Sequence, residues 1–236
     1  MAGLAAICSY WLHAARAEQP LFGLQLFRIP TFAVGIAGNL FSRLGSGAMP
    51  FLTPLFLQVG LGYSPSAAGL SMVPTVAGAM VAKRFAEPVI DRFGYRNVLV
   101  INTLLLGSMI AGFALIDRGT PHAVILLHLA CFGIVNSLQF TAMNTLSLSD
   151  LDERTASSGN SLLSVVVQLS MSLGVAAAAS LLLAFNPHAL EGDALMQGFH
   201  RTYLCVGALS IMASWIFFQL GRHERPSGPA SQEVEA

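Results

Sequence analysis

Charge is scarce in this chain, and negative charge is missing from the middle of its apolar runs. Only 10% of the 236 residues are charged, 54% are hydrophobic, and the mean hydropathy is +0.65. Soluble domains carry about 25% charged residues, so the shortage excludes an ordinary soluble domain and points to a membrane protein. The formal net charge is zero, which removes the basic field a nucleic-acid partner would need. Cysteine is equally sparse: Cys8, Cys131 and Cys205 stand apart in apolar segments, with no CxxC and no histidine at ligand spacing. That excludes a disulfide framework and a metal site and leaves three small hydrophobes. A phosphate-cradling P-loop, an HExxH pair and a nucleophile elbow are all missing, so neither a cofactor nor enzyme chemistry is expected.

What is present is a series of long apolar runs. Six candidate spans follow from reading them against charged or Pro/Gly-rich breaks: Thr31–Gln58, Ala67–Ile90, Val98–Ile116, Ala123–Leu148, Ser161–Phe185 and Thr202–Leu220. Each is long enough to cross, some with tilt. The connections are short except Asn186–Arg201, which carries Glu191, Asp193 and the breakers Pro187, Gly192 and Gly198. Met1–Leu12 is apolar but too short to span and has no basic residue ahead of it. It reads as the tail of a preceding span, with a short interfacial helix as the alternative.

Positive charge orients the bundle. With both ends inside, Arg16, Arg28, Lys83, Arg84, Arg92, Arg96, Arg154, Arg222 and Arg225 are cytoplasmic, and only Arg118 and Arg201 lie outside. The last residues, 221–236, form a short polar tail with two prolines. Six spans with both ends inside, rich in Gly and Pro, suggest one repeat of a secondary transporter; a channel or membrane enzyme stays open on span count alone.

At 100° per residue, Gly35, Asn39, Ser42, Arg43, Ser46, Pro50 and Thr53 share one arc of the first span. Pro50 and Pro54 are expected to kink its outer half. The fourth span repeats the pattern with Asn136, Gln139, Met143 and Ser147, and the fifth with Ser161, Ser164, Gln168 and Ser172. The serines read as interhelical hydrogen bonds, which contribute about 0.6 kcal/mol each on average. Asn39, Asn136, Gln139 and Gln168 fit either such bonds or a substrate cavity.

Arg43 is the sharpest feature. A cation at that depth costs at least ~2.5 kcal/mol, and the apolar core of the chain offers no carboxylate; Glu87, near the cytoplasmic end of the second span, is the closest candidate. Arg43 therefore meets an acid of another bundle, an anionic substrate group or helix carbonyl ends. His128, in the outer third of the fourth span, is either a proton carrier or a packing histidine. The pairs Gly107/Ala111, Gly133/Ser137 and Gly174/Ala178 read as close helix packing.

Between the second and third spans stands Asp91-Arg92-Phe93-Gly94-Tyr95-Arg96, where Gly94 permits a tight turn and Asp91 can cap a helix end or pair with Arg92 or Arg96. This resembles the cytoplasmic signature loop of the major facilitator superfamily, with Glu87 in place of the pattern's leading glycine. GSGAMPFLTPLFLQVGLGYSP (45–65), RFGYRNVLV (92–100), MNTLSLSDL (143–151) and SSGNSLLSVVVQLSMSLGV (157–175) are similar to the fourteen-span drug:proton antiporter branch of that superfamily. The resemblance implies an all-α membrane fold in which this chain is the C-terminal six-span bundle (31–220). Residues 1–30 would then be the end of a linker span with its cytoplasmic linker, and 221–236 a cytoplasmic tail. It also implies a bacterial inner-membrane protein exporting small molecules or drugs in exchange for protons. Its partners would be the lipid bilayer, a missing N-terminal half, the substrate and protons. That family's coupling carboxylates belong mainly to the N-terminal half. The alternative is a non-transporting membrane interaction module or a truncated fragment.

Overall fold

Proline decides where the first run breaks. In the computed structural model, which describes residues 29–149, 151, 153–185 and 192–217, helix α1 (Pro30–Ser46) starts with Pro30 in its first turn and stops at Ser46. Pro50 has no N–H to offer the Ser46 carbonyl, which ends the ladder there. The chain crosses the break through tighter bonds, Ala48 N–H to Gly45 O at 3.2 Å and Phe51 N–H to Ala48 O at 3.2 Å. Helix α2 (Met49–Leu55) contains Pro54, and just beyond it the chain widens into a π-helical turn over Phe56–Gly60. The expected kink is thus a break one turn earlier, followed by a π segment; Thr31–Gln58 is not one continuous helix.

The second run is jointed in the same way. Helix α3 (Pro65–Ser71), capped by the Ser64 side chain on the Ala67 N–H at 3.2 Å, meets α4 (Val73–Phe93) at Met72. Pro74 lies in the first turn of α4. Gly94, at φ +74°, then turns the chain into α5 (Tyr95–Gly112), which a 3-10 turn extends over Phe113–Leu115. A non-glycine residue is strained at that φ. Helices α6 (His122–Leu148), α7 (Glu153–Phe185) and α8 (Gly192–Phe217) complete the order.

All regular structure among the described residues is helical. Among the described residues, four stretches are long and apolar enough to cross a membrane: Pro65–Phe93, Tyr95–Leu115, His122–Leu148 and Ala156–Phe185. Helices α7 and α8 begin at Glu153 and Gly192, so parts of the expected connections at 149–160 and 186–201 are helix. Hydropathy marks only the lipid-embedded part of a helix, whereas backbone hydrogen bonding continues past it into polar sequence. Residues 218–220 of the expected last span, the 221–236 tail and all of the expected linker but Ile29 and Pro30 lie outside the described residues.

Neighbours in sequence are not the main neighbours in space. Helix α4 lies along α6, α5 along α8, and α1 packs on α7, α8 and α6. Close approach is supplied by glycine: a Cβ on Gly107 would stand 2.8 Å from the Gly207 carbonyl oxygen, and one on Gly207 would stand 2.8 Å from that of Gly107. Lipid gives helices no hydrophobic reason to associate, so contact depends on such fit. Large apolar side chains, among them Leu70, Met80, Leu127, Leu183 and Trp215, face outward, while Asn39, Arg43, Asn102 and Gln139 lie inside. The chain is a multi-pass helical membrane protein.

Candidate functional site

The buried amide and guanidinium side chains collect along the line where α1 crosses α6, with α5 behind it. Asn39 on α1 donates to the Gly35 carbonyl at 3.0 Å and to Ser147 Oγ on α6 at 3.3 Å. Its Oδ1 accepts from Arg43 Nε at 2.8 Å. One turn along, Gln139 of α6 donates to Thr103 Oγ1 at 2.7 Å and to Ser42 Oγ at 3.4 Å, and its Oε1 accepts from Asn102 Nδ2 at 2.8 Å. Asn102 also donates to the Val135 carbonyl at 2.9 Å. Polar groups in an apolar medium must be satisfied within the protein. Here they tie three helices together.

Arg43 is 8% exposed and lies in the last turn of α1. The helix break gives that position a reason, because carbonyls at a helix C-terminus attract a cation by about 0.3–1 kcal/mol, and up to ~2 kcal/mol when partly buried. Its guanidinium carbon stands 4.1 Å from the centroid of the Phe140 ring, a further favourable contact. These gains and the bond to Asn39 offset much of the insertion cost of at least ~2.5 kcal/mol. They leave Nη2 buried with no hydrogen-bond partner. Among the described residues no carboxylate reaches Arg43; Glu87 is exposed on α4, away from α1.

The sequence-derived set is therefore divided. Asn39, Arg43 and Gln139 meet along this seam. Asn136 is half-buried and takes no part in the hydrogen bonds, and Gln168 is exposed on α7. His128 donates from Nε2 to the Met109 carbonyl at 2.9 Å and sits edge-on to Phe113 at 4.5 Å, a packing arrangement apart from the seam. Asn102, Thr103 and Phe140 were not anticipated. Asn102 carried a signal, being the one amide side chain in Val98–Ile116, and an amide within an apolar helix needs a partner.

At the signature loop, Gly94 makes the turn, but no side chain caps the start of α5. Asp91 does not act as the cap; Asn97 Nδ2 instead donates to the Phe93 carbonyl at 3.1 Å, covering the end of α4. Asp91 and Arg92 are exposed, with Arg92 above the Phe93 ring at 5.8 Å, and Arg96 is half-buried.

Comparison with known proteins places this geometry. The family model described as Major Facilitator Superfamily matches residues 2–175. The MdtD protein of Pectobacterium atrosepticum, named for multidrug resistance, is 49% identical over 217 residues, covering 91% of this chain and 47% of that protein. Its counterpart in Serratia proteamaculans is 47% identical over 219 residues, covering 92% and 46%. A Salmonella heidelberg relative of the same name is 45% identical over 217 residues, covering 91% and 46%. The chain spans about half the length of the curated relatives it matches. With a family match over most of its length and a bundle of apolar helices around a buried polar seam, the chain belongs to the major facilitator superfamily.

Proposed function

We propose that this chain is the C-terminal six-span lobe of a proton-coupled secondary transporter that exports small molecules, with both ends of the lobe cytoplasmic. The observation that carries the reading is the seam itself: a charged side chain held deep in an apolar bundle, fixed by Asn39 and left with an unpartnered donor. A purely structural bundle gains nothing from that expense. The names of the relatives support export of drug-like compounds, and their length supports a second lobe as the partner. In this reading Asn39, Arg43 and Gln139 face the route taken by substrate as the two lobes rock. Asn136 and Gln168 stand as further lining positions on the surface turned to the other lobe, and Asp91, Arg92, Gly94 and Arg96 form the cytoplasmic hinge loop.

The test is gradient-driven transport in vesicles containing the chain alone, the chain with a co-produced N-terminal lobe, and that pair carrying Arg43→Ala. Transport by the pair that is lost in Arg43→Ala is the expected result. Transport by the chain alone would make it a complete half-transporter. No flux with either arrangement would overturn the reading and favour a non-transporting interaction module.

A further inference from the structure

The seam is short of a particular kind of partner. Arg43 Nε is committed to Asn39, so the edge of the guanidinium left for paired recognition is the one carrying Nη1 and Nη2, and Nη2 is fully buried without a partner. A second orphan stands on α6: Asn144 Oδ1 is likewise buried with nothing to bond. Asn144 lies one turn from Phe140, the residue whose ring covers Arg43, and between the α1 contacts made by Gln139 and Ser147. Residues four apart share a helix face. Two unsatisfied polar side chains, one of them cationic, thus flank the same crossing of α1 and α6. Unsatisfied buried groups of this kind are uncommon in native structures and each calls for a reason. Phe140 is 45% exposed, so the guanidinium lies one side chain beneath the surface.

Resting on the transporter-lobe reading above, we infer that the Arg43–Asn144 seam is a binding site for a carboxylate, which takes the free edge of the guanidinium while Asn144 makes a polar contact beside it. A planar two-oxygen anion matches that edge bidentately, which a cation or a neutral apolar compound does not. Asn144 serves in either amide orientation. Its NH2 donates to a carboxylate oxygen, and its carbonyl accepts from a hydroxyl or a bridging water next to the carboxylate. The carboxylate has two possible sources with the same chemistry: the transported compound, or an acidic side chain of the other lobe.

The test is calorimetric titration of the full chain in lipid nanodiscs with benzoate and with benzamide, its uncharged isostere, at constant ionic strength. Benzoate is expected to bind at least tenfold more tightly than benzamide. Arg43→Gln, which can still bond Asn39, should lose about tenfold or more in benzoate affinity. Arg43→Lys should retain part of it, and Asn144→Leu should lose a smaller factor. No benzoate binding, equal binding of both probes, or full benzoate affinity in Arg43→Gln overturns the proposal. Repeating the titration with the N-terminal lobe present assigns the source. Continued benzoate binding supports a substrate carboxylate, and exclusion of benzoate supports a side chain already seated there. The readout is separate from flux. Benzoate binding that depends on Arg43 in a pair that transports nothing keeps the site and sinks the transporter reading; drug transport with no benzoate binding does the reverse.

Discussion

Two buried regions of this bundle are built from opposite materials. The seam between α1, α5 and α6 is polar, running from Ser147 through Asn39 to Arg43 and from Ser42 through Gln139 to Asn102. Where the π-helical turn after α2, the 3-10 turn after α5 and α8 meet, the core is aromatic. Phe113 stacks on Tyr203 at 5.0 Å, and Phe56 meets Phe199 and Tyr203 edge-on, each at 5.4 Å. The knot also absorbs its histidines, since His128 and His200 both bond to backbone carbonyls, those of Met109 and Ile116. Most contacts in the knot are packing, although it too holds an open polar atom, the buried Tyr203 hydroxyl, and an ion pair of His200 with Asp117 at 3.6 Å. The seam is different: most of its bonds are satisfied, yet it keeps a buried cation with an open donor. A neutral hydroxyl left open in a core costs less than an open donor on a cation at membrane depth. The knot therefore reads as the source of rigidity, and the seam as the part that trades stability for function.

The comparison can be broken by mutation. Phe113→Ala should have the largest effect, about 3–5 kcal/mol of lost stability from the cavity it opens, seen as unfolding at lower detergent denaturant in mixed micelles. A smaller loss than that of Gln139→Leu would contradict the assignment of rigidity to the knot. Gln139→Leu removes the group that Asn102, Thr103 and Ser42 share, and about 1–3 kcal/mol should go with it in the same assay. Arg43→Gln should move the other way. Removing the charge recovers its insertion cost while giving up the last-turn and ring attractions, so stability should rise by about 1 kcal/mol as transport by the paired lobes is lost. A destabilised Arg43→Gln would make Arg43 structural. Ser147→Ala should change stability least, by about 0.6 kcal/mol, because Asn39 keeps its bond to Gly35 and its acceptance from Arg43. A larger loss would mean that the hydrogen-bonded chain behaves as one cooperative unit.

Much of the fold was legible because the membrane imposes simple rules on a sequence. Apolar run length located the third and fourth spans within a few residues of α5 and α6. Small residues marked the crossing of α5 on α8, since Gly107 and Ala111 do meet Gly207. The break in α1 was half legible. Pro50 announced an interruption, but its placement at Ser46 follows from a carbonyl four residues back that a hydropathy reading does not consider. The early starts of α7 and α8 were hidden because polar residues at a helix end look the same as a loop on a hydropathy scale.

The candidate site was legible as a list and not as an arrangement. Amides at mid-span are rare enough to stand out, which brought in Asn39, Asn136, Gln139 and Gln168 together. Nothing in their spacing separated the two that bond into the seam from the two that do not. Gln168 shares its arc with Ser161, Ser164 and Ser172, yet it is exposed on α7. Which arc of a helix turns inward depends on the neighbour it packs against.

The sequence by itself determined that this is a multi-span helical membrane protein of a recognisable family, because the bilayer admits few backbone solutions and each leaves a one-dimensional trace of length, apolarity and breaks. It also determined that Arg43 had to be accounted for, since the cost of a cation at membrane depth depends on depth more than on neighbours. Only the tertiary structure decided that the Phe140 ring from another helix joins Asn39, one turn earlier, and the carbonyls of a helix that stops just beyond in offsetting that cost. That ring contact acts over a few ångströms between residues about a hundred positions apart, so it exists only once the helices have packed.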